Sequence, residues 1–218
     1  VYSRCRSDAA GQVPVSPETG CDLYRFDLAA QTETRIAVRS SATADETLPT
    51  IWRDRIAWVS VRNGGLPRVL EGALAGGAAR AVSLVPGREC GYRSFSAGRE
   101  QRVCRATISA TLRELDLYDG RLAAVMTTHG VRDTNGNEEV RTVRIGGTPV
   151  LLARVHPGEM SIRRIFLAIH QTPTRVGFVA TNFYGGDTLY RWNSRTRTAV
   201  GARVGRETYG LAPEPTGS

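Results

Sequence analysis

Asp119-Gly120-Arg121-Leu122-Ala123-Ala124-Val125-Met126 has a counterpart on either side of it in the chain. Upstream stands Arg53-Asp54-Arg55-Ile56-Ala57-Trp58-Val59-Ser60, and downstream Pro173-Thr174-Arg175-Val176-Gly177-Phe178-Val179-Ala180. Each copy reads as a polar turn, an Arg, an aliphatic residue, a small residue, one variable position and Val. A short apolar run entered through a turn is the pattern of a strand buried on both faces. The small residue (Ala57, Ala123, Gly177) suits a strand whose neighbour comes close.

A second element accompanies this one. It reads Leu23-Tyr24-Arg25-Phe26-Asp27-Leu28, Val140-Arg141-Thr142-Val143-Arg144-Ile145 and Leu189-Tyr190-Arg191-Trp192-Asn193, with a weaker copy over 68–74. Apolar and polar residues alternate there, as in a half-buried strand. A short turn and a closing strand follow, over 33–38, 79–84, 150–155 and 197–200. Between the first and second elements lie Asn63-Gly64-Gly65, Asn135-Gly136-Asn137 and Gly185-Gly186, which tolerate the positive φ of tight hairpins. Helix signals are nearly absent. Four antiparallel strands repeated at a period of roughly 50–65 residues is the signature of propeller blades. The expected fold is therefore all-β, a β-propeller of about four four-stranded antiparallel blades.

The blades fall at about 1–39, 45–84, 108–156 and 161–203 within one domain, 1–211. Residues 85–107 read as an insertion between blades and 212–218 as a disordered tail. The first unit lacks its innermost strand, because Val1-Tyr2-Ser3-Arg4-Cys5 matches the second strand position. Either the chain is a piece of a larger propeller, or a strand near Glu207–Leu211 completes the first blade. The chain opens at Val1 rather than Met, so a preceding segment is expected to have been removed or left out.

The unit resembles the WD40-like repeat of TolB-type β-propellers, most closely at Asp119-Gly120-Arg121-Leu122-Ala123 and at Cys21-Asp22-Leu23-Tyr24-Arg25-Phe26-Asp27-Leu28. What that resemblance implies is a protein-interaction scaffold in a bacterial envelope or outside the cell. The chain has no recognisable N-terminal α/β domain, so the particular role of TolB is not carried over.

The formal net charge is +8, and all 29 basic side chains are Arg. A basic chain raises the prior for polyanionic partners. The arginines are scattered, however, and the avoidance of Lys reads as coding bias, so nucleic acid is not the expected partner. No run of apolar residues is long enough for a transmembrane helix. The four cysteines form two local pairs, Cys5 with Cys21 and Cys90 with Cys104. Three pairings are open to four cysteines; the sequential one closes the shortest loops, each contributing about 3 kcal/mol in the chain-entropy model. Oxidised cysteines imply an extracellular or periplasmic location.

Asp133, Asn135, Asn137 and Glu139 form the densest oxygen cluster, with the alternation calcium sites use, although Gly136 and the early Glu do not fit an EF-hand. The competing reading is a solvated hairpin turn, which the other units have at the same place. No other cofactor is indicated. His129, His156 and His170 share no spacing and read as surface or strand-end histidines. No Gly-x-Ser-x-Gly occurs, and Ser60 and Ser83 read as strand-end serines. Among Glu46, Asp54, Glu114, Asp116 and Asp119 nothing singles out an acid–base pair. The aromatics at repeat positions read as core. Propeller ligands meet rim loops or the central channel, which selects Trp52, Arg53, Arg55, Tyr118 and Arg121 as binding residues.

The reading reached is a non-catalytic extracellular binding or scaffold propeller that recognises a protein or an envelope polysaccharide. One alternative is a hydrolase or lyase acting on polysaccharide in the central channel, which a pair of carboxylates or a His–carboxylate pair there would favour. Another is the accessory propeller of a larger peptidase-like chain.

Overall fold

The structure, a computed structural model, describes residues 1–5, 20–39, 43–62, 65–95, 99–130, 137–155, 165–172, 174–181, 187–193 and 198–204. It contains four antiparallel sheets and, apart from a 3-10 turn at Ala37–Arg39, no helix among those residues. The first sheet holds β1 (Tyr2–Arg4), β2 (Asp22–Asp27) and β3 (Thr32–Arg35). The second runs in order through β4 (Asp45–Trp52), β5 (Arg55–Val61), β6 (Arg68–Ala73) and β7 (Arg80–Val82). The third orders β8 (Arg88–Phe95), β9 (Arg99–Tyr118), β10 (Arg121–Gly130), β11 (Asn137–Arg144) and β12 (Val150–Val155). The fourth holds β13 (Ile165–Gln171), β14 (Arg175–Thr181), β15 (Asp187–Asn193) and β16 (Thr198–Val204). This sequential up-and-down order is that of propeller blades.

The repeated segments are the second strands of their blades, and alternation explains why they are apolar throughout. In β5, Ile56 and Trp58 pack toward the first blade with Leu23 and Ile36, while Ala57 and Val59 turn to the third blade and meet Leu115, Leu117 and Leu122. In β10, Leu122, Ala124 and Met126 face the second blade and Ala123 and Val125 the fourth, where Phe178 and Trp192 lie. Each second strand thus feeds two cores, one per face. Burying a side chain such as Trp58 or Phe178 contributes about 1.5–3 kcal/mol.

The sheets differ from four equal blades in two places. The first has three strands, with β1 leading into the third-strand position at β2. Among the described residues no strand completes it and the sheets do not close into a ring. The third has five, because the 85–107 segment is itself a β-hairpin. Its return strand runs without a break into the innermost strand, so β9 pairs with β8 from Arg99 to Ala106 and with β10 from Thr107 to Tyr118. The segments 207–211 and 212–218 and the turns over 63–64, 131–136 and 182–186 lie outside the described residues.

Arg39 ties the first blade to the second. Its guanidinium is buried and donates to the carbonyls of Ala73 (2.5 Å), Gly76 (2.9 Å) and Gly77 (3.0 Å), the turn that joins β6 to β7. Gly72 makes room for it, since a Cβ there would stand 2.7 Å from Nη2. Within the second blade, buried Glu71 receives Arg55 Nε at 2.6 Å and Arg80 Nε at 2.7 Å.

Candidate functional site

The innermost strands β4, β9 and β13 enter their blades by equivalent hairpins. Trp52 pairs with Arg55, Tyr118 pairs with Arg121, and the Thr172 N–H donates to Arg175 O at 2.9 Å. Asp119 and Gly120 take φ of 44° and 72°, the positive pair that a two-residue hairpin turn requires. Counting back along each strand gives matched positions. Thr50, Asp116 and His170 stand opposite Ala57, Ala123 and Gly177. The repeated small residue thus marks the place on the neighbouring innermost strand where polar side chains gather.

Those side chains link successive blades. Leu117 N–H donates to Thr50 Oγ1 at 3.1 Å, so the second blade's residue reaches the third blade's backbone. One blade on, the Asp116 carboxylate accepts from the backbone N–H of Gln171. Gln171 occupies the position held by Leu117 in the preceding blade, has no exposed surface, and donates through Nε2 to Asp116 O (2.7 Å) and Arg121 O (3.2 Å). His170 Nδ1 lies 4.0 Å from Asp116 Oδ2, with the two side chains 42% and 21% exposed. Burial pushes the Asp116 carboxyl above its ordinary range, against the opposing pull of His170 and the hydrogen bonds from Gln171 and Leu117. Glu114 follows on the same face of β9; burial raises it as well, and the charge of Asp116 adds to the effect.

At the hairpin end of that face, Tyr118 meets Trp52 of the neighbouring blade, ring centroids 3.9 Å apart and planes tilted by 41°. Arg53 carries its guanidinium 5.7 Å above the Trp52 ring and has φ of 54°. Trp52 and Tyr118 are half-buried. The structure therefore brings three of the five binding residues read from the sequence, Trp52, Arg53 and Tyr118, into one cluster. Arg55 is instead held by Glu71, and Arg121 lies across the hairpin from Tyr118, its carbonyl accepting from Gln171.

Of the oxygen cluster, Asp133 and Asn135 lie outside the described residues. Asn137 begins β11 opposite Thr128, and Glu139 is fully buried with Arg141 Nε 2.6 Å away. Among the described residues no group of three His, Cys, Asp or Glu side chains is placed to hold a metal ion. Cys5 and Cys21 form a disulfide; the register sets Cys90 opposite Cys104, whose side chains lie outside the described residues. His129 sits in β10 opposite Ser109, and His156 is outside the described residues. The pairing of Asp116 with His170 is not read from the sequence, because only the shared hairpin register of β9 and β13 aligns them.

Two solved structures are similar to this chain. A prolyl endopeptidase, from a study of inter-domain dynamics in catalysis and specificity, matches at 14% identity and a TM-score of 0.40 over 93% of this chain and 33% of its own. TolB from Acinetobacter baumannii matches at 14% identity and a TM-score of 0.34 over 85% of this chain and 49% of its own. The chain thus spans about a third and about half of their lengths. No family model and no curated protein matches. No helix among the described residues is long and apolar enough to cross a membrane.

Proposed function

We propose that this chain is an extracellular or periplasmic binding propeller, without catalysis of its own, that seats its ligand at the hairpin ends of its innermost strands. The observation that carries the reading is the contact of Trp52 with Tyr118 across two blades, with Arg53 over the indole. Half-buried aromatic rings offer a large apolar face at low cost in side-chain entropy, and the guanidinium adds a directional donor. Such a surface suits sugar rings, which favours an envelope polysaccharide as the ligand over a protein. The disulfide Cys5–Cys21 supports an oxidising location.

The test is a thermal-shift screen with acidic and neutral oligosaccharides, cell-wall fragments, calcium and a chelator. A ligand that binds only the folded chain raises the midpoint by mass action. A shift with one saccharide class, reduced in Trp52→Ala, supports the reading. A shift retained by Trp52→Ala moves the seat elsewhere, and no shift with any saccharide makes a protein the ligand to pursue.

The pair Asp116–His170 beside Glu114 favours a second reading, hydrolysis or elimination on a polysaccharide. Environments that push titratable groups away from their ordinary range are those acid–base chemistry uses. Release of reducing ends, lost in Asp116→Asn, would establish it; binding without turnover would leave the first reading standing.

A further inference from the structure

The arginines, scattered along the sequence, gather at one end of the blades. The residue that opens the second strand is Arg in the second, third and fourth blades: Arg55, Arg121 and Arg175. Arg53 stands in the first of those hairpins, and Arg144 closes β11. The third strands return to the same end, since Leu74 N–H donates to Asp54 O (2.7 Å) and Ile145 N–H to Gly120 O (2.8 Å). Among the described residues of this outermost layer, these five arginines meet only two carboxylates, Asp54 and Asp119. Two register positions farther in, the charges balance: Glu71 and Asp116 stand with Arg80 and Arg191. The opposite end is mixed, with Asp45, Glu46 and Asp187 set beside Arg62 and Arg68. The repeat thus turns a scattered basic sequence into one basic rim. The Trp52–Tyr118 pair lies in that rim: Arg53 covers the indole, Arg121 is the hairpin partner of Tyr118, and Arg144 is the β11 partner of Arg121. Arg53 and Arg144 are exposed, and Arg121 is partly so. Like charges set directly opposite on neighbouring strands repel, and an anion lying between them turns that repulsion into attraction.

We infer that the ligand seated at Trp52 and Tyr118 is an acidic polysaccharide, which lays its sugar rings on the aromatic pair and its anionic groups on Arg53, Arg121 and Arg144; this rests on the seat proposed above. The guanidinium group is a planar fork of donors that matches a carboxylate or a sulfate in two parallel hydrogen bonds. A neutral glycan would engage the rings and draw nothing from the charge around them. Nucleic acid is the other polyanion such a rim could attract. The disulfide Cys5–Cys21 supports an oxidising location, which favours the polysaccharide.

The test compares probes that share a backbone and differ in charge: oligogalacturonate against its methyl ester, and dextran sulfate against dextran. A single-stranded oligodeoxynucleotide is the third polyanion, and affinities are measured by calorimetry. The expected result is that at least one acidic form binds about tenfold or more tighter than its neutral counterpart, with the gap closing as NaCl rises from about 50 to about 500 mM. The double variant Arg121→Gln/Arg144→Gln should weaken acidic binding about tenfold and leave neutral binding unchanged. Arg62→Gln/Arg68→Gln removes the same charge at the opposite end and should change affinity less than about twofold. All four side chains lie outside the buried core, so both variants should keep the wild-type near-ultraviolet circular dichroism. Equal affinity for acidic and neutral forms overturns the inference, as does no binding of either acidic glycan. Equal losses in the two double variants, or tighter binding of the oligonucleotide, overturn it as well. Trp52→Ala separates this inference from the seat on which it rests. Neutral and acidic binding that are equal and both lost in Trp52→Ala keep the seat and remove the acidic ligand. Acidic binding lost in Arg121→Gln/Arg144→Gln but unchanged in Trp52→Ala keeps the acidic ligand and removes the aromatic seat.

Discussion

Asp116 and His170 hold the same position in successive blades, and Asp116 Oδ2 lies 4.0 Å from Nδ1 of His170. Thr50 holds that position one blade earlier and uses its hydroxyl to accept the Leu117 N–H. A repeated backbone thus supplies one structural task, reaching the next innermost strand. The third and fourth blades spend the position on ionisable groups instead. A carboxylate placed in a half-buried interface costs stability, and proteins tolerate such a cost chiefly where function requires the group.

That cost has a measurable sign. Burial raises the Asp116 carboxyl, so the folded chain holds its proton to higher pH than the unfolded chain does. The titratable groups facing it are Glu114 on its own strand, also raised, and His170 on β13. Across the window above the ordinary carboxylate range the folded state binds more protons, and stability contributed by these groups is lost as pH rises. Asp116→Asn is expected to raise Tm at pH 7, with the gain shrinking as pH falls toward about 4. Thermal unfolding of both proteins over that range checks it; a lower Tm for the variant at pH 7 counts against the buried-charge account.

Arg39 should dominate the joint between the first two blades. Arg39→Ala leaves the carbonyls of Ala73, Gly76 and Gly77 without the buried donors that now satisfy them, an expected loss of ~3 kcal/mol. In a chain of this size that is a fall in Tm of roughly 6–12 °C. Gly72→Ala, which drives a methyl group into the guanidinium, should destabilise as well. Because both act on one contact, the double variant should lose less than the sum of the two, as a denaturant-unfolding cycle would show.

The cysteines are expected to be fully oxidised. Cys5–Cys21 joins residues 16 apart and fixes the entry to β2, and Cys5→Ser should cost about 3 kcal/mol. Antiparallel register sets Cys90 across from Cys104 in the β8–β9 hairpin, the placement from which a second disulfide forms. Thiol counting on the denatured, unreduced chain should give no free thiol. Two free thiols would leave the β8–β9 hairpin without a disulfide.

The second strands were legible because they serve two cores. Ile56-Ala57-Trp58-Val59 and Leu122-Ala123-Ala124-Val125-Met126 are apolar on both faces, a pattern a buried strand produces and a surface strand does not. The innermost strands were not. Register shifts interrupt β4 between Thr47 and Thr50, β9 opposite Val125/Met126, and β13 between Phe166 and Ala168, so no simple alternation survives. β9 is harder still, since half of it pairs outside the blade with β8. Trp52 and Tyr118 were legible as separate candidates because each precedes a turn. The Asp116–His170 pair was not, because 54 residues separate them in the chain and only the shared hairpin register aligns them.

The most direct test of the proposed seat is fluorescence. Trp58 and Trp192 are buried in blade cores, so Trp52 is the indole a ligand can reach. Solubilised bacterial cell-wall fragments would be titrated into the wild type while tryptophan emission is recorded, with binding to Trp52→Ala measured in parallel by calorimetry. The expected result is a saturable emission change in the wild type and an affinity roughly thirtyfold weaker in the variant, the loss typical of a central aromatic contact. Wild-type affinity in Trp52→Ala, or fragment binding that leaves the emission unchanged, would contradict the assignment of the ligand to Trp52 and Tyr118.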